Sequence, residues 1–245
     1  LMIRRPPRST LDRSSAASDV YKRQSRDSVD VVYPGLGSRF QRASTQDVTE
    51  FRQRRGLPER FILYLGTIEP RKNLSVLINA FNRLRPNGVK LICAGGNGWL
   101  FEDVLRVVDE LHLSRDVYFP GFLPADELHL WYSSCSVFVY PSDYEGFGFP
   151  VLEAMACGAP TITTNASSLP EVAGCAAKLV PPGDVDVLAE VIDSVLSTPE
   201  LQRKLSDAGQ VQARRFRWET AGVRTARCHA RALGLPESLH KVDSV

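Results

Sequence analysis

No apolar run in this 245-residue chain approaches the roughly 20 residues needed to span a bilayer, so no segment reads as a membrane span. Cysteine is scarce: Cys93, Cys135, Cys157, Cys175 and Cys228 are odd in number, scattered and never spaced CxxC. That excludes a disulfide framework and a zinc ribbon, and it points to a reducing, cytoplasmic compartment. The four histidines, His112, His129, His229 and His240, lie far apart without ligand spacing and read as structural or exposed. No GxSxG and no GxxxxGK(S/T) occurs, which removes the hydrolase nucleophile elbow and the P-loop. With 43% apolar and 24% charged residues, the composition is that of a globular domain rather than of a disordered or collagenous chain. A chain of this length can bury roughly 70% of its unfolded surface, enough for one large core or two small ones.

An excess of one charge is also missing, although the balance is uneven. Residues 1–26 hold seven Lys/Arg against two Asp, a local +5, so the other 219 residues carry 23 basic and 26 acidic side chains, net −3. A slightly acidic body without a basic stripe gives no footing for a nucleic-acid partner. Residues 1–24 have no apolar period, no strand run and no turn logic. They resemble translated sequencing-adaptor read-through, which implies that the natural N-terminus is missing. Their Arg- and Ser-rich, acid-poor character would also suit an organellar transit peptide, whereas a secretory signal is excluded by the lack of an apolar h-region.

What is present is an alternation of strand and helix. Val29–Tyr33 reads as a first short strand, and a polar stretch leads from it to Pro58. Phe61–Leu65, Val89–Ala94, Val117–Phe119, Val137–Tyr140 and Thr161–Thr163 are continuously apolar or β-branched runs, as expected of parallel strands covered on both faces. Between them, helical spacing predicts helices over Leu74–Leu84, Leu100–Leu111, Ala125–Ser133 and Pro150–Cys157, the last followed by Gly158 where a left-handed cap is wanted. From Asp184 the pattern is helical, with Pro199–Phe216 and Glu219–Leu233 closing it. The fold class is α/β, a doubly wound parallel, Rossmann-like sheet with a helical C-terminal tail. The expected organisation is a non-native leader over 1–26, a linker with an initial strand over 27–58, a domain over 59–233 and a tail over 234–245.

Ligands of such sheets bind beyond the carboxyl ends of the strands, where three loops are chemically unusual. Gly66-Thr-Ile-Glu-Pro-Arg71-Lys72-Asn73 places two adjacent cations just before a helix, a pattern suited to an anion such as phosphate. The alternative is a solvated basic loop in which Asn73 is an ordinary N-cap. Ser142-Asp-Tyr-Glu145-Gly-Phe-Gly-Phe-Pro150 lets the backbone approach a ligand at Gly146 and Gly148, and it carries Glu145 with Glu153 eight positions on, expected in the first turn of the next helix. An acid in a first turn is commonly a dipole partner only. This reading places the basic loop two strands away from the carboxylates. The third loop, Ala94-Gly-Gly-Asn-Gly98, is a backbone contact site or a tight turn. Asp184-Val-Asp186 matches a DxD metal motif but follows Pro-Pro-Gly and opens a helix, so it reads as a cap, and no metal ligand set is assigned.

Three segments together, Gly66-x-x-x-Pro-Arg-Lys-Asn-Leu74, Phe119-x-Gly121-Phe-Leu and Pro141-Ser-x-x-Glu145-Gly-Phe-Gly-x-Pro-x-Leu-Glu153-Ala-Met-Ala-Cys-Gly-x-Pro160, resemble the family 4 glycosyltransferases. Ser167-Ser-Leu-Pro-Glu-Val-Ala-Gly174 and Phe216-x-Trp-Glu219 are similar to that family as well, so the likeness runs from about Val29 to Leu233. Ser136 and Cys175 depart from it, standing where the family often has Asp. The resemblance implies a retaining enzyme of GT-B fold, of which this chain is the C-terminal, donor-binding half. It implies that Arg71 and Lys72 hold the diphosphate of a nucleoside-diphosphate sugar and that Glu153 accepts from the ribose hydroxyls. Glu145 would contact the donor sugar, with main-chain groups of Phe147, Gly148 and Phe149 nearby. Gly121, Phe122 and Leu123 would line the base pocket, and Gly66 would be a further donor-binding residue.

No cofactor is implied; the donor would be a GDP- or UDP-sugar, with a slight tilt to GDP-mannose. The acceptor, a glycan or lipid-linked species, would be held by a missing N-terminal domain, at most at the inner face of a membrane, and the chain alone would be inactive. A non-catalytic sugar-nucleotide-binding module and a GT-B-like epimerase or phosphorylase are the alternatives.

Overall fold

The structure is a computed structural model that describes residues 30–96, 98 and 101–235. The leader over 1–26, Val29, Asn97, Leu100, His240 and most of the expected tail lie outside the described residues. The chain divides into two compact units, Ser38–Ala213 and a second one built from the segments Leu1–Gly37 and Arg214–Val245.

The larger unit is a six-stranded, wholly parallel sheet. In chain order its elements are α1 (Thr45–Arg55), β1 (Arg60–Leu65), a 3-10 turn (Pro70–Lys72), α2 (Leu74–Leu84), β2 (Val89–Ala94), α3 (Phe101–Glu110) and β3 (Val117–Gly121). There follow α4 (Leu128–Ser134), β4 (Val137–Tyr140), α5 (Phe149–Ala156), β5 (Thr161–Thr164), α6 (Leu169–Ala173), β6 (Lys178–Val180), α7 (Val185–Ser197) and α8 (Pro199–Ala213). The strand order is β3-β2-β1-β4-β5-β6. Helices α2, α3 and α7 pack together in one layer, and α1, α4, α5 and α8 in the other. Burial on both faces explains the unbroken apolar runs: Phe61–Tyr64 and Val137–Tyr140 are all at most 1% exposed. Strand β5 carries three buried threonines without penalty because each hydroxyl donates to a carbonyl, Thr161 to Ala159, Thr163 to Tyr140 and Thr164 to Ser142.

The order reverses between β1 and β4. The chain runs outward from β1 to β3, then returns to the other side of β1, so β1 and β4 are hydrogen-bonded neighbours, with Ile62 opposite Val137. The basic loop and the carboxylate loop are therefore on adjacent strands, not two strands apart, at the point of order reversal where such sheets bind ligands.

Two local expectations are corrected. The polar stretch before Pro58 contains α1, which buries Phe51 and is ended by signals that its polarity obscured. Ser44 accepts from the Asp47 amide at 3.1 Å, and Gly56 closes the helix with φ of 59°. Residues 30–33, expected to be strand, form none. They belong to the smaller unit, where Tyr33 packs edge-on against Phe216 at 5.8 Å and the Leu36 amide donates to the Phe216 carbonyl at 2.9 Å. The apolar side chains there meet a helix-bearing segment instead of a strand partner. That unit's helix, α9 (Trp218–Ala232), buries only Ala221 and leaves Trp218 57% exposed. Among the described residues no helix is long and apolar enough to cross a membrane.

Candidate functional site

The loop after β1 is shaped by backbone constraints. The Gly66 amide donates to the Ala94 carbonyl and the Ile68 amide to Gly96, which ties this loop to the glycines after β2. A side chain at Gly95 would place Cβ 2.0 Å from the Gly66 carbonyl oxygen, and its φ is +140°, so glycine is required for this approach. Pro70 then starts the 3-10 turn that carries Arg71 and Lys72. Asn73 adopts φ of 52° and makes no capping bond to α2. Its side-chain amide donates instead to the Pro141 carbonyl at 3.3 Å and to the Asp143 carboxylate, so the ordinary N-cap reading is set aside. Asn73 bridges the two loops, and the Asp143 amide does so again by donating to the Arg71 carbonyl at 2.8 Å.

This stitching brings three charged side chains together. Glu145 Oε1 accepts from Lys72 Nζ at 2.5 Å, Ser142 Oγ at 2.6 Å, Tyr140 OH at 3.1 Å and Arg71 Nη1 at 3.2 Å. Lys72 Nζ also donates to the Tyr140 hydroxyl, and Arg71 reaches Glu69 at 2.6 Å and the Tyr144 carbonyl at 2.9 Å. Lys72 is 6% exposed, whereas the Arg71 side chain is 46% exposed. Burial pushes the Glu145 carboxyl up, but hydrogen bonds from Lys72 and Ser142, the Lys72 charge and the Tyr140 bond outweigh it and hold the group below its ordinary value. Burial, reinforced by Glu145, pushes Tyr140 up, so its phenol stays protonated.

The turn after Glu145 is held by two serines that the loop reading did not single out. The Glu145 amide donates to Ser167 Oγ at 2.9 Å, and Ser168 Oγ donates to the carbonyls of Glu145 and Phe147 at 3.0 and 2.8 Å. Gly148 follows at φ of +106°, a conformation L side chains avoid, with a virtual Cβ only 2.7 Å from Leu169 Cδ2. It is the N-cap position of α5, and the helix starts at Phe149 with Pro150 in its first turn. Phe147 and Phe149 lie with ring centroids 5.0 Å apart.

Glu153 is the fifth residue of α5, in the second turn rather than the first, so it is not a partner of the helix dipole. Its Oε2 accepts from the Tyr132 hydroxyl at 2.9 Å. Burial raises its pKa above the ordinary carboxylate value, opposed by the Tyr132 hydrogen bond and by the Arg39 charge.

Gly121 ends β3 at φ of +75° and accepts from the Gly95 amide at 2.9 Å. Beyond it Phe122 is 82% exposed and Leu123 is buried, so this segment presents one ring to solvent and anchors with the next residue. Asp184 caps α7 by accepting from the Val187 amide at 3.0 Å, and Asp186 pairs with Arg83 at 2.6 Å, so the DxD positions act as cap and surface ion pair. The structure thus joins Arg71, Lys72 and Glu145 in one cluster and holds Glu153 separately on Tyr132. Ser142, Ser167 and Ser168 stand inside the sequence motifs and were legible there; Tyr132 and Tyr140 look like core residues in sequence and carry no signal.

A parallel sheet whose order reverses at β1 and β4, with cations and a carboxylate gathered on the two loops at the reversal, defines a doubly wound, Rossmann-like α/β domain, a fold whose ligands bind at such a switch point. Residues 47–212 match the family described as Glycosyl transferases group 1, and the chain belongs to that family. It is 37% identical over 169 residues to O-antigen chain mannosyltransferase B of Escherichia coli, covering 67% of this chain and 44% of that protein. It is 36% identical over 180 residues to the serotype-specific mannosyltransferase WbdA of Escherichia coli, covering 71% of this chain and 22% of that protein. The chain thus spans less than half the length of these curated relatives. Among solved structures, Anabaena Alr3699/HepE in complex with UDP and glucose is similar with a TM-score of 0.77 and 22% identity, over 92% of this chain and 61% of that one. Sucrose-phosphate synthase from Thermosynechococcus elongatus is similar with a TM-score of 0.73 and 27% identity, over 84% and 53% of the two chains. The fold is that of the C-terminal, Rossmann-like domain of GT-B glycosyltransferases.

Proposed function

We propose that the crevice between the β1 and β4 loops holds a nucleoside-diphosphate sugar, GDP-mannose by preference, and that the domain serves a retaining hexosyl transfer to the hydroxyl of a glycan or lipid-linked acceptor. The observation that carries this reading is the convergence of Lys72 and Arg71 at Glu145, on neighbouring loops at the switch point. Two cations held in place by a buried network suit a diphosphate, Arg71 by its fork and Lys72 as a point charge. Glu145 pairs with both, so an incoming diphosphate competes with a carboxylate for them. Glu153 would accept from the ribose 2′ and 3′ hydroxyls, Gly121, Phe122 and Leu123 would border the base, and Glu145 would turn to the sugar hydroxyls. Amides of Phe147, Gly148 and Phe149 would add donors, with Gly66 close by.

In the transfer the bond from the anomeric carbon to the diphosphate oxygen breaks and a bond to the acceptor oxygen forms. The acceptor proton passes to the departing diphosphate. Negative charge grows on that leaving group, and Arg71 and Lys72, once Glu145 has turned to the sugar, stabilise it. The mannosyl preference is supported by relatives named mannosyltransferases, and polysaccharide assembly by the O-antigen relative.

Calorimetric titration of the chain with GDP, UDP and ADP, with and without EDTA, tests this reading. GDP binding that survives chelation and weakens in Lys72→Ala and Glu153→Ala is the expected outcome. Absence of binding to any of the three by the folded chain overturns it.

A further inference from the structure

The donor-site reading leaves open what holds Glu153 in a state able to accept two hydroxyls. Glu153 lies on α5, where burial disfavours its charge and raises its pKa. A protonated carboxyl would meet a diol with a donor of its own and lose one acceptor. Tyr132, on α4, is fully buried. Its ring packs edge-on between Phe138, at 5.2 Å and 81°, and Phe40, at 6.4 Å and 62°, so the phenol has little freedom to move. Its hydroxyl donates to Glu153 Oε2 at 2.9 Å, and among the described residues this is the one hydrogen bond on that carboxylate.

We propose that Tyr132 is a positioning residue for ribose recognition: its hydroxyl fixes Glu153 Oε2 and so turns Oε1 toward the 2′ and 3′ hydroxyls of the nucleotide. The inference rests on the donor-site reading above. A hydrogen bond to the charged form of a buried carboxylate favours that form, so the same contact opposes the effect of burial on Glu153. The other groups acting here are Arg39, ahead of α1, whose charge also favours ionisation, and the thiol of Cys157, the C-cap of α5. Burial and the neighbouring Glu153 hold both Cys157 and Tyr132 protonated, and Tyr140 acts on Tyr132 in the same sense.

The test compares the wild-type chain, Tyr132→Phe and Glu153→Ala by calorimetry with GDP and 2′-deoxy-GDP from pH 5.5 to 8, with UDP and its 2′-deoxy form as a second pair. Phe keeps the ring between Phe40 and Phe138, and a near-native thermal melt checks the fold. Tyr132→Phe is expected to weaken the ribonucleotide about tenfold, as for loss of a hydrogen bond to a charged group. The penalty should be smaller for the 2′-deoxy form, and acid should abolish binding at a higher pH than in the wild type. Carbon NMR titration of the Glu153 carboxyl without ligand should show it protonating at higher pH in the variant. Equal losses for both nucleotides, or an unmoved Glu153 titration, overturn the positioning role while Glu153→Ala still weakens binding. If Glu153→Ala binds as tightly as the wild type, the ribose reading itself fails, and this inference falls with it.

Discussion

Glu145 and Glu153 stand eight positions apart on either side of one glycine-rich turn, and their surroundings drive them in opposite directions. Glu145 gathers four donors on a single oxygen, two of them cationic, and is held below its ordinary pKa. Glu153 has a single phenol and a more distant arginine, and burial lifts it above that value. The first is a saturated ion cluster whose parts depend on one another, because a buried charge without its partner is costly. The second is an under-served acceptor with an oxygen to spare. A cluster of the first kind has to be opened by its ligand, whereas an acceptor of the second kind is completed by it.

This contrast can be broken from either side. Lys72→Ala should lower turnover of the active transferase by ~10²–10³, the usual cost of deleting one stabilising donor, and near-wild-type turnover would sink its assigned role. Glu145→Ala should destabilise the fold by about 3 kcal/mol in denaturant titration, since the buried Lys72 then loses its carboxylate partner. The double variant Lys72→Met with Glu145→Leu should recover most of that loss, which separates the stability of the pair from its function.

A smaller effect is expected at the turn between them. Gly148→Ala should cost about 2 kcal/mol, because it adds a side chain at φ of +106° against Leu169, read as a lower melting temperature. Least of all, the two carboxylates should differ in their pH dependence of stability. Glu145 has a depressed native pKa, so its contribution is present above the unfolded carboxylate value and is lost as pH falls through the native one; Glu145→Gln should flatten that acid limb. Glu153 is the reverse: its raised native pKa makes stability fall as pH rises from the unfolded value to the native one. Glu153→Gln should therefore gain stability near neutral pH, read as a higher melting temperature, while weakening nucleotide binding.

Strands β1 to β5, the loops at their ends and the Glu145/Glu153 spacing were legible in the residues, because buried strands are continuously apolar and chain-reversing loops need Gly and Pro; β6 was not, since its three residues, Lys178–Val180, are only partly buried. Helix α1 was not, since it buries only Phe51 and its capping signals sit in a run of polar residues. Residues 30–33 misled in the other sense, because an apolar run fits a strand and a helix-facing segment equally well.

Sequence alone determined the local chemistry of this protein: which residues turn, which are buried, and that two cations and two carboxylates sit at strand ends. Only the tertiary structure decided that β4 returns beside β1, that Asn73 bridges the two loops instead of capping a helix, and that Tyr140 and Ser142 join Lys72 on Glu145 while Tyr132 serves Glu153. The physical reason is that a side chain's charge state and partners are set by groups distant in the chain, and no local pattern of residues records which of those groups the fold brings near.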